Sequence, residues 1–418
     1  MNNVISLRGC SSGTRRPGST DALLLRRVLA GCGALALCGP QWAGALGVRN
    51  PNQDPAAIAR GNAFAATADN PSAIYYNPAG ITQLEGHNVQ VGSLFYLNIY
   101  AEYQSPGGAR TENEHEVTPI PQLHYVFSPK DSPFSFGLGV YAPFGLSMKW
   151  PNDAPFRNTG LEAKLTYITA NPVAAVKLNR TLSLAIGPTF NYSDLDLRQG
   201  LGVRQGDDLQ FKGDNIGYGF NVGLLWQPYE EWSFGLTYKS GVRVNYDGTT
   251  TIRLRPPAVA DASHSSAPLD FPQIISGGVS FRPTKDWNIE ADVDWTDWEC
   301  VDQLALRGVP ARKLDWHSSF FYEVGVTRQL TKGYFVSAGY FYSENSTSER
   351  NFIPTVPDAD LHVASLGVGH RSRSWQWALA GQLIGGGWRT VNNSANPTAN
   401  GRYRLFAPTI SLSGGYHF

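Results

Sequence analysis

A hydrolytic nucleophile or a metal centre leaves a local mark in sequence, and this chain of 418 residues carries little of either. Beyond residue 45 there is no Gly-x-Ser-x-Gly, the turn that lifts a catalytic serine clear of its sheet. The histidines (87, 115, 124, 264, 317, 362, 370 and 417) are scattered, and no Walker, Rossmann, zinc or EF-hand spacing occurs. Cys300, in Asp297-Trp298-Glu299-Cys300, has no neighbour spaced to activate its thiol and reads as an inert strand residue. No cofactor and no metal is expected. What stands out is backbone chemistry. In Phe136-Gly137-Leu138-Gly139-Val140-Tyr141-Ala142-Pro143-Phe144-Gly145-Leu146, a proline sits inside an otherwise strand-like run. Pro143 cannot donate to a ladder, and Gly137, Gly139 and Gly145 relax the chain around it, so a local break in pairing is expected over Ala142–Gly145. Asn77-Pro78-Ala79 is the second such feature: an amide side chain that can satisfy backbone groups, beside a proline that stiffens the turn.

These residues must be positioned by long strands. From about residue 88 the chain falls into period-2 segments. Trp232, Phe234, Leu236 and Tyr238 alternate with Ser233, Gly235, Thr237 and Lys239, and Trp287, Ile289, Ala291, Val293 and Trp295 with Asn288, Glu290, Asp292, Asp294 and Thr296. The last segment sets Phe406, Ile410 and Leu412 against Ala407, Thr409, Ser411 and Ser413. About 14 such windows can be marked, starting near residues 88, 115, 133, 161, 181, 213, 230, 269, 285, 315, 332, 359, 374 and 400. Short turns alternate with longer polar loops, the rhythm of an outer-membrane barrel. A soluble sandwich or propeller also alternates, but aromatic residues at the ends of apolar faces, and polar faces opposite them, favour an all-β transmembrane antiparallel β-barrel. A bilayer accepts strands only when no edge is left open.

Composition agrees. Glycine is high at 44 residues and aromatics make 12%, while mean hydropathy is only −0.25, which excludes a bundle of membrane helices. Only 16% of residues are charged and the formal net charge is zero, so no nucleic-acid partner is expected. Residues 1–45 order five arginines, an apolar run Val28 to Leu37 and Ala43-Gly44-Ala45 as a secretory signal peptide does. Cleavage after Ala45 leaves 29 bases, 33 acids and Cys300 as the remaining thiol, so stability must come without an internal disulfide.

Residues 46–87 do not alternate. They are rich in Ala, Asn, Gly and Pro and read as short helices, which ahead of a barrel most simply fold into its lumen as a plug. Here the chain resembles the FadL/TodX-type outer-membrane transporters. The resemblance rests on Asn77-Pro78-Ala79 just before the first strand, on the Phe136–Leu146 run, on Leu269-Asp270-Phe271-Pro272, and on Asp292-Val293-Asp294-Trp295-Thr296-Asp297-Trp298. It implies a signal peptide (1–45), a hatch (46–87) and a 14-stranded barrel (88–418) in the outer membrane of a Gram-negative bacterium. It also implies a carrier of a long-chain fatty acid, an alkane or an aromatic hydrocarbon, and a monomer among outer-membrane lipid and lipopolysaccharide is expected.

The expected mechanism is binding in an apolar lumen followed by lateral release at the third strand, with Asn77 held against the unpaired backbone of the kink. Lys164 and Arg404 are candidate partners for a cargo carboxylate. Pro256–Ala260 and Phe352–Pro357 are candidate landing loops. The rivals are a barrel-embedded lipid hydrolase and a general diffusion porin.

Overall fold

The computed structural model describes residues 48–201, 206–254, 259–305 and 311–418. The expected export signal and most of the Pro256–Ala260 stretch lie outside the described residues. From Gly86 onward the chain builds a closed, fully antiparallel β-barrel of 14 strands. These are β1 (Gly86–Tyr96, continued by Tyr100–Gln104), β2 (Thr118–Ser128), β3 (Phe134–Tyr141, continued by Gly145–Lys149), β4 (Glu162–Lys177) and β5 (Leu182–Gly200). Then come β6 (Asp208–Trp226), β7 (Trp232–Lys239, continued by Val242–Leu254), β8 (Val259–Phe271, continued by Ile274–Thr284), β9 (Trp287–Thr296) and β10 (Ser319–Gln329). The last are β11 (Tyr334–Ser343), β12 (Leu361–Arg371), β13 (Trp375–Gly385) and β14 (Gly401–His417). Each strand pairs with the next, and β14 closes on β1 from Asn88 opposite His417 to Tyr96 opposite Thr409. No sheet edge is left to lipid.

The barrel is inside out relative to a soluble protein. On β14 the side chains of Phe406, Ile410 and Leu412 are exposed, while Thr409, Ser411 and Ser413 are buried. β9 repeats this, with Ile289 and Val293 outside and Glu290, Asp292 and Asp294 inside. An apolar outer band over a polar interior is the pattern of a strand facing hydrocarbon. Two strands begin earlier than alternation indicates: β6 at Asp208 rather than near 213, and β8 at Val259 rather than near 269. Above the bilayer both faces of a strand meet polar surroundings, so the hydropathy signal fades although the hydrogen bonds continue. Cys300 also departs from expectation. It lies in a 3-10 turn, Trp298–Cys300, and burial pushes its thiol up to about 12.

Residues 48–84 pack against the inner wall. Two short helices, α1 (Pro55–Ile58) and α2 (Ala73–Tyr76), precede a 3-10 turn, Pro78–Gln83. Asp54 caps α1, accepting from the Ala56 and Ala57 N–H groups at 3.2 and 3.3 Å, and Pro55 occupies the first helical position, where no donor is needed. Almost every residue here is buried. The wall accepts the segment at glycines. A Cβ on Gly137 or Gly139 of β3 would meet Ile74, one on Gly223 of β6 would meet Asn77 and Pro78, and one on Gly235 of β7 would strike Ala65. Gly325, Gly339 and Gly367 on β10, β11 and β12 make room for Ala59 and Arg60. Gly137 and Gly139 therefore do not relax a kink. Both are ladder-paired to β2 and β4, and their role is to leave the wall bare where the segment leans on it.

Candidate functional site

The break in β3 is local and one-sided. Against β4 the ladder runs to Tyr141 opposite Thr169 and resumes at Gly145 opposite Thr166, so Ala142-Pro143-Phe144 faces two residues, a one-residue bulge. Against β2 the ladder stops at Val140 opposite Leu123, which leaves β2 residues 118–122 without a strand partner on that side. Backbone so freed must be satisfied, since an unpaired amide within a bilayer costs several kcal/mol.

Residues 48–53 supply the partners. The Asn50 N–H donates to the Pro143 carbonyl and the Gly145 N–H to the Val48 carbonyl, both at 2.8 Å. Asn50 Nδ2 and Gln53 Nε2 donate to the Ala142 carbonyl at 3.0 and 2.7 Å, and the Ala142 N–H returns a bond to Gln53 Oε1 at 3.2 Å. From β2, Gln122 Nε2 reaches the Asn52 carbonyl at 3.0 Å. The segment thus stitches the gap between β2 and β3.

Asn77 does not sit there. Its Nδ2 donates to the Ala65 carbonyl at 2.7 Å and to the Leu224 carbonyl of β6 at 2.9 Å, and its Oδ1 accepts from the Ala79 N–H at 3.2 Å. It caps the Pro78–Gln83 turn and ties the segment to β6. Pro78 and Ala79 are buried beside it. Sequence reasoning assigned the kink to Asn77 and missed Asn50 and Gln53, because no local pattern couples residues about 90 positions apart.

A second group of polar contacts went unread. The inward acids of β9 face the segment's own amides. Asp292 Oδ2 accepts from the Phe64 and Ala65 N–H groups, each at 2.8 Å, and Glu290 Oε1 accepts from Ala66 and Thr67 at 2.7 and 3.1 Å. Arg60 pairs with Glu290 at 3.0 Å, Arg49 pairs with Asp294, and Arg371 of β12 pairs with Asp69 at 2.8 Å. Asp54 takes a further bond from Gln90 of β1, and burial pushes its carboxyl up to about 6 against its donors. The available signal was three acids at alternate positions on one face of β9.

At the long-loop end lies an apolar cavity of about 170 Å³. Its walls include Leu146, Leu165, Leu195, Leu269, Phe271, Trp298, Trp316, Ile353 and Val356. Of the two candidate landing loops, Phe352–Pro357 therefore lies at the cavity. Arg312, from the loop after β9, joins the lining. Its guanidinium donates to the Thr159 carbonyl and to Gln199 Oε1, and no carboxylate pairs with it among the described residues. Desolvation holds Arg312 below its usual value. Lys164 and Arg404 are not in this lining, and Arg404 pairs with Glu102 at 2.9 Å.

Below the cavity, Phe144, Tyr167 and Phe271 form an aromatic collar, with ring centres 4.6–5.1 Å apart. Beneath the collar a smaller cavity of about 40 Å³ is bounded by Tyr75, Pro143 and Phe144 among others. The path from loops to kink is therefore mainly apolar, with Arg198, Arg312, Glu162 and Asp270 at its outer end and Lys239 at the lower cavity.

With this geometry in hand, likeness to known proteins is informative. Residues 35–376 match the family model described as outer membrane protein transport protein (OMPP1/FadL/TodX). The long-chain fatty acid transport protein of Escherichia coli (strain K12) is 20% identical over 353 residues, covering 72% of this chain and 79% of that protein. Outer membrane protein P1 of Haemophilus influenzae is 20% identical over 361 residues, covering 73% and 78%. Among solved structures, a Pseudomonas aeruginosa FadL homologue superposes with a TM-score of 0.79 at 20% identity, covering 89% of this chain and all of that one. The P. putida toluene transporter TodX gives 0.68 at 15% identity, covering 87% and 97%. These two likenesses speak for the fold.

Proposed function

The chain belongs to the OMPP1/FadL/TodX family of outer membrane transport proteins, and from that premise we propose that it carries long-chain fatty acids across the outer membrane and releases them sideways into the lipid. It is a transport protein of hydrophobic compounds and not an enzyme. The open choice is among cargoes, since relatives are named for fatty acids and for toluene. The observation that carries the fatty-acid reading is the outer cavity: a mainly apolar chamber in which the Arg198 guanidinium is paired with Glu162, while that of Arg312 has no acidic partner among the described residues. An apolar wall holds any hydrocarbon, at about 0.8 kcal/mol per buried CH₂. A desolvated cation adds charge-assisted hydrogen bonds that only a carboxylate can use.

Cargo then passes the Phe144–Tyr167–Phe271 collar and meets the gap between β2 and β3. Release into lipid avoids returning an alkyl chain to water. It requires residues 48–53 to give up their bonds to Ala142, Pro143 and Gly145, so the N-terminal segment serves as both plug and latch.

The test compares binding of palmitate and of hexadecane to the parent protein and to Arg312→Met, which keeps the side-chain bulk. Hydrogen bonds to a charged group contribute about 1.5–3 kcal/mol, so palmitate is expected to bind about tenfold more weakly to the variant while hexadecane is unaffected. Equal losses for both ligands, or no loss for palmitate, would remove the carboxylate from the reading and favour an uncharged hydrocarbon.

A further inference from the structure

The wall has a second defect, away from β3. On its β5 side, β6 is paired without interruption from Trp226 opposite Leu182 to Asp208 opposite Gly200. On its β7 side the ladder runs from Trp226 opposite Phe234 to Asn221 opposite Lys239, and resumes only at Asp214 opposite Asp247. Residues 215–219 of β6 thus face 241–246 of β7 without a ladder, and at the lower edge of the gap the Ser240 N–H still donates to the Phe220 carbonyl at 2.9 Å. β7 and β8 are themselves interrupted here, at Ser240-Gly241 and Pro272-Gln273. Side chains cap the freed backbone: Ser240 Oγ accepts from the Phe220 N–H at 2.9 Å, and Asn215 Nδ2 donates to the Asn245 carbonyl at 2.6 Å. Such caps let a seam persist where open backbone would be costly.

What fills the seam is thin. The inward positions of β6 are Gly217 and Gly219, and the methyl groups of Val242 and Val244 lie where a Cβ on these glycines would be. Phe220 is on the outward face, 44% exposed, yet it lines the small lower cavity together with Asn221, Ser240 and Val242. Pro143 and Phe144 line the same cavity. One chamber therefore touches both defects. The seam also sits at a boundary. Below it, β7 presents Trp232, Phe234, Leu236 and Tyr238 outward. Above it, β7 presents Arg243, Asn245 and Asp247, with Arg243 paired to Asp270 at 2.6 Å. That change of polarity marks the outer edge of the apolar belt.

We propose that the β6–β7 seam is a second, minor lateral outlet, through which an alkyl chain in the lower cavity reaches the outer leaflet past Val242 and Val244. The proposal rests on the lateral-release reading above but concerns a different strand pair. It is minor because two valines already occupy the opening and no detachable segment spans it.

Uptake of a fluorescent long-chain fatty acid into proteoliposomes tests it, using the full barrel with Cys300→Ser as background. A Phe220→Cys/Ser240→Cys pair staples the seam when oxidised and frees it when reduced, so each molecule is its own folding control. Gly145→Trp obstructs the β3 route. Gly145→Trp alone is expected to leave about a tenth of parental uptake, and the oxidised staple to remove that residue, with reduction restoring it. Val242→Ala in the Gly145→Trp background is expected to raise the residue about twofold. If Gly145→Trp alone falls to the level of protein-free liposomes, or if the residue ignores both the staple and Val242→Ala, the seam carries nothing and the β3 exit still stands. If Gly145→Trp has no effect while the staple stops uptake, the seam stands and the β3 exit falls.

Discussion

Gly145→Trp is expected to lower uptake of a long-chain fatty acid about tenfold while the barrel folds and inserts normally, a loss equivalent to about 1.4 kcal/mol in the transport barrier. Gly145 begins the second half of β3, where Leu146 and Met148 are the inward set, so alternation puts position 145 on the opposite face, where it is itself buried beside the gap. An indole there lies across the outer mouth of the opening and hinders the withdrawal of Val48, whose carbonyl the Gly145 amide holds. Leu146 and Val48, beside this position, line the outer cavity, but the indole projects from the opposite face of β3 and Arg312 lies on the loop after β9, so the carboxylate contact should be untouched. Palmitate binding should therefore keep its parental Kd even as uptake falls. Heat-modifiable migration of the purified protein and a palmitate titration separate this from misfolding. Uptake equal to the parent's, in a barrel that binds palmitate normally, would remove the β3 exit. Loss of binding together with uptake would place the damage in the cavity instead.

The features that were legible in sequence share one physical basis. Period-2 hydropathy marks a strand only where one face meets lipid and the other the lumen, so the membrane-crossing part of each strand was readable. The polar first halves of β6 and β8, which project beyond the bilayer, were not. Pro143 was readable because a missing N–H is a property of one residue. Its partners were not, because Asn50 and Gln53 reach Ala142 only after the barrel has closed and brought residues about 90 apart together. Asn77 invited the wrong assignment for the same reason: an amide that can cap backbone anywhere was matched to the one unpaired backbone then known, whereas it binds Ala65 and Leu224.

The glycines carry a similar lesson. Gly137 and Gly139 read in sequence as relaxing a kink, yet with Gly223, Gly235, Gly325, Gly339 and Gly367 they mark the bare face on which the N-terminal segment rests. The seam between β6 and β7 left no proline signal in β6. It shows only in the register of two neighbouring strands, a quantity no single strand encodes.

Glu290→Gln is expected to loosen the N-terminal segment and turn a quiet barrel into a leaky one. Glu290 is fully buried on β9 and accepts from the Ala66 and Thr67 amides, from Thr67 Oγ1 and from Arg60. Gln preserves shape and one acceptor oxygen, but it removes the charge and places an NH₂ group where Arg60 or the amides point. That leaves the buried Arg60 guanidinium of the segment without its paired carboxylate, and breaking a buried pair in this way costs about 3–5 kcal/mol. The neighbouring Asp292 and Asp294 keep their own partners, so the segment is weakened at one point and not released outright. A shift of that size raises the open population by about 10²–10⁴, enough to bring a rare state into view. In planar bilayers the parent should conduct little, and the variant should show frequent steps of larger conductance. Hydrogen exchange should lose protection at residues 64–67 first and not in the strands. Arg60→Met in the same background should recover part of the loss, since removing both charges leaves nothing unpaired. A variant as quiet as the parent, with unchanged exchange over these residues, would mean that Glu290 is dispensable and that glycine-to-backbone packing and the remaining contacts of Asp292, Asp294 and Asp69 hold the segment.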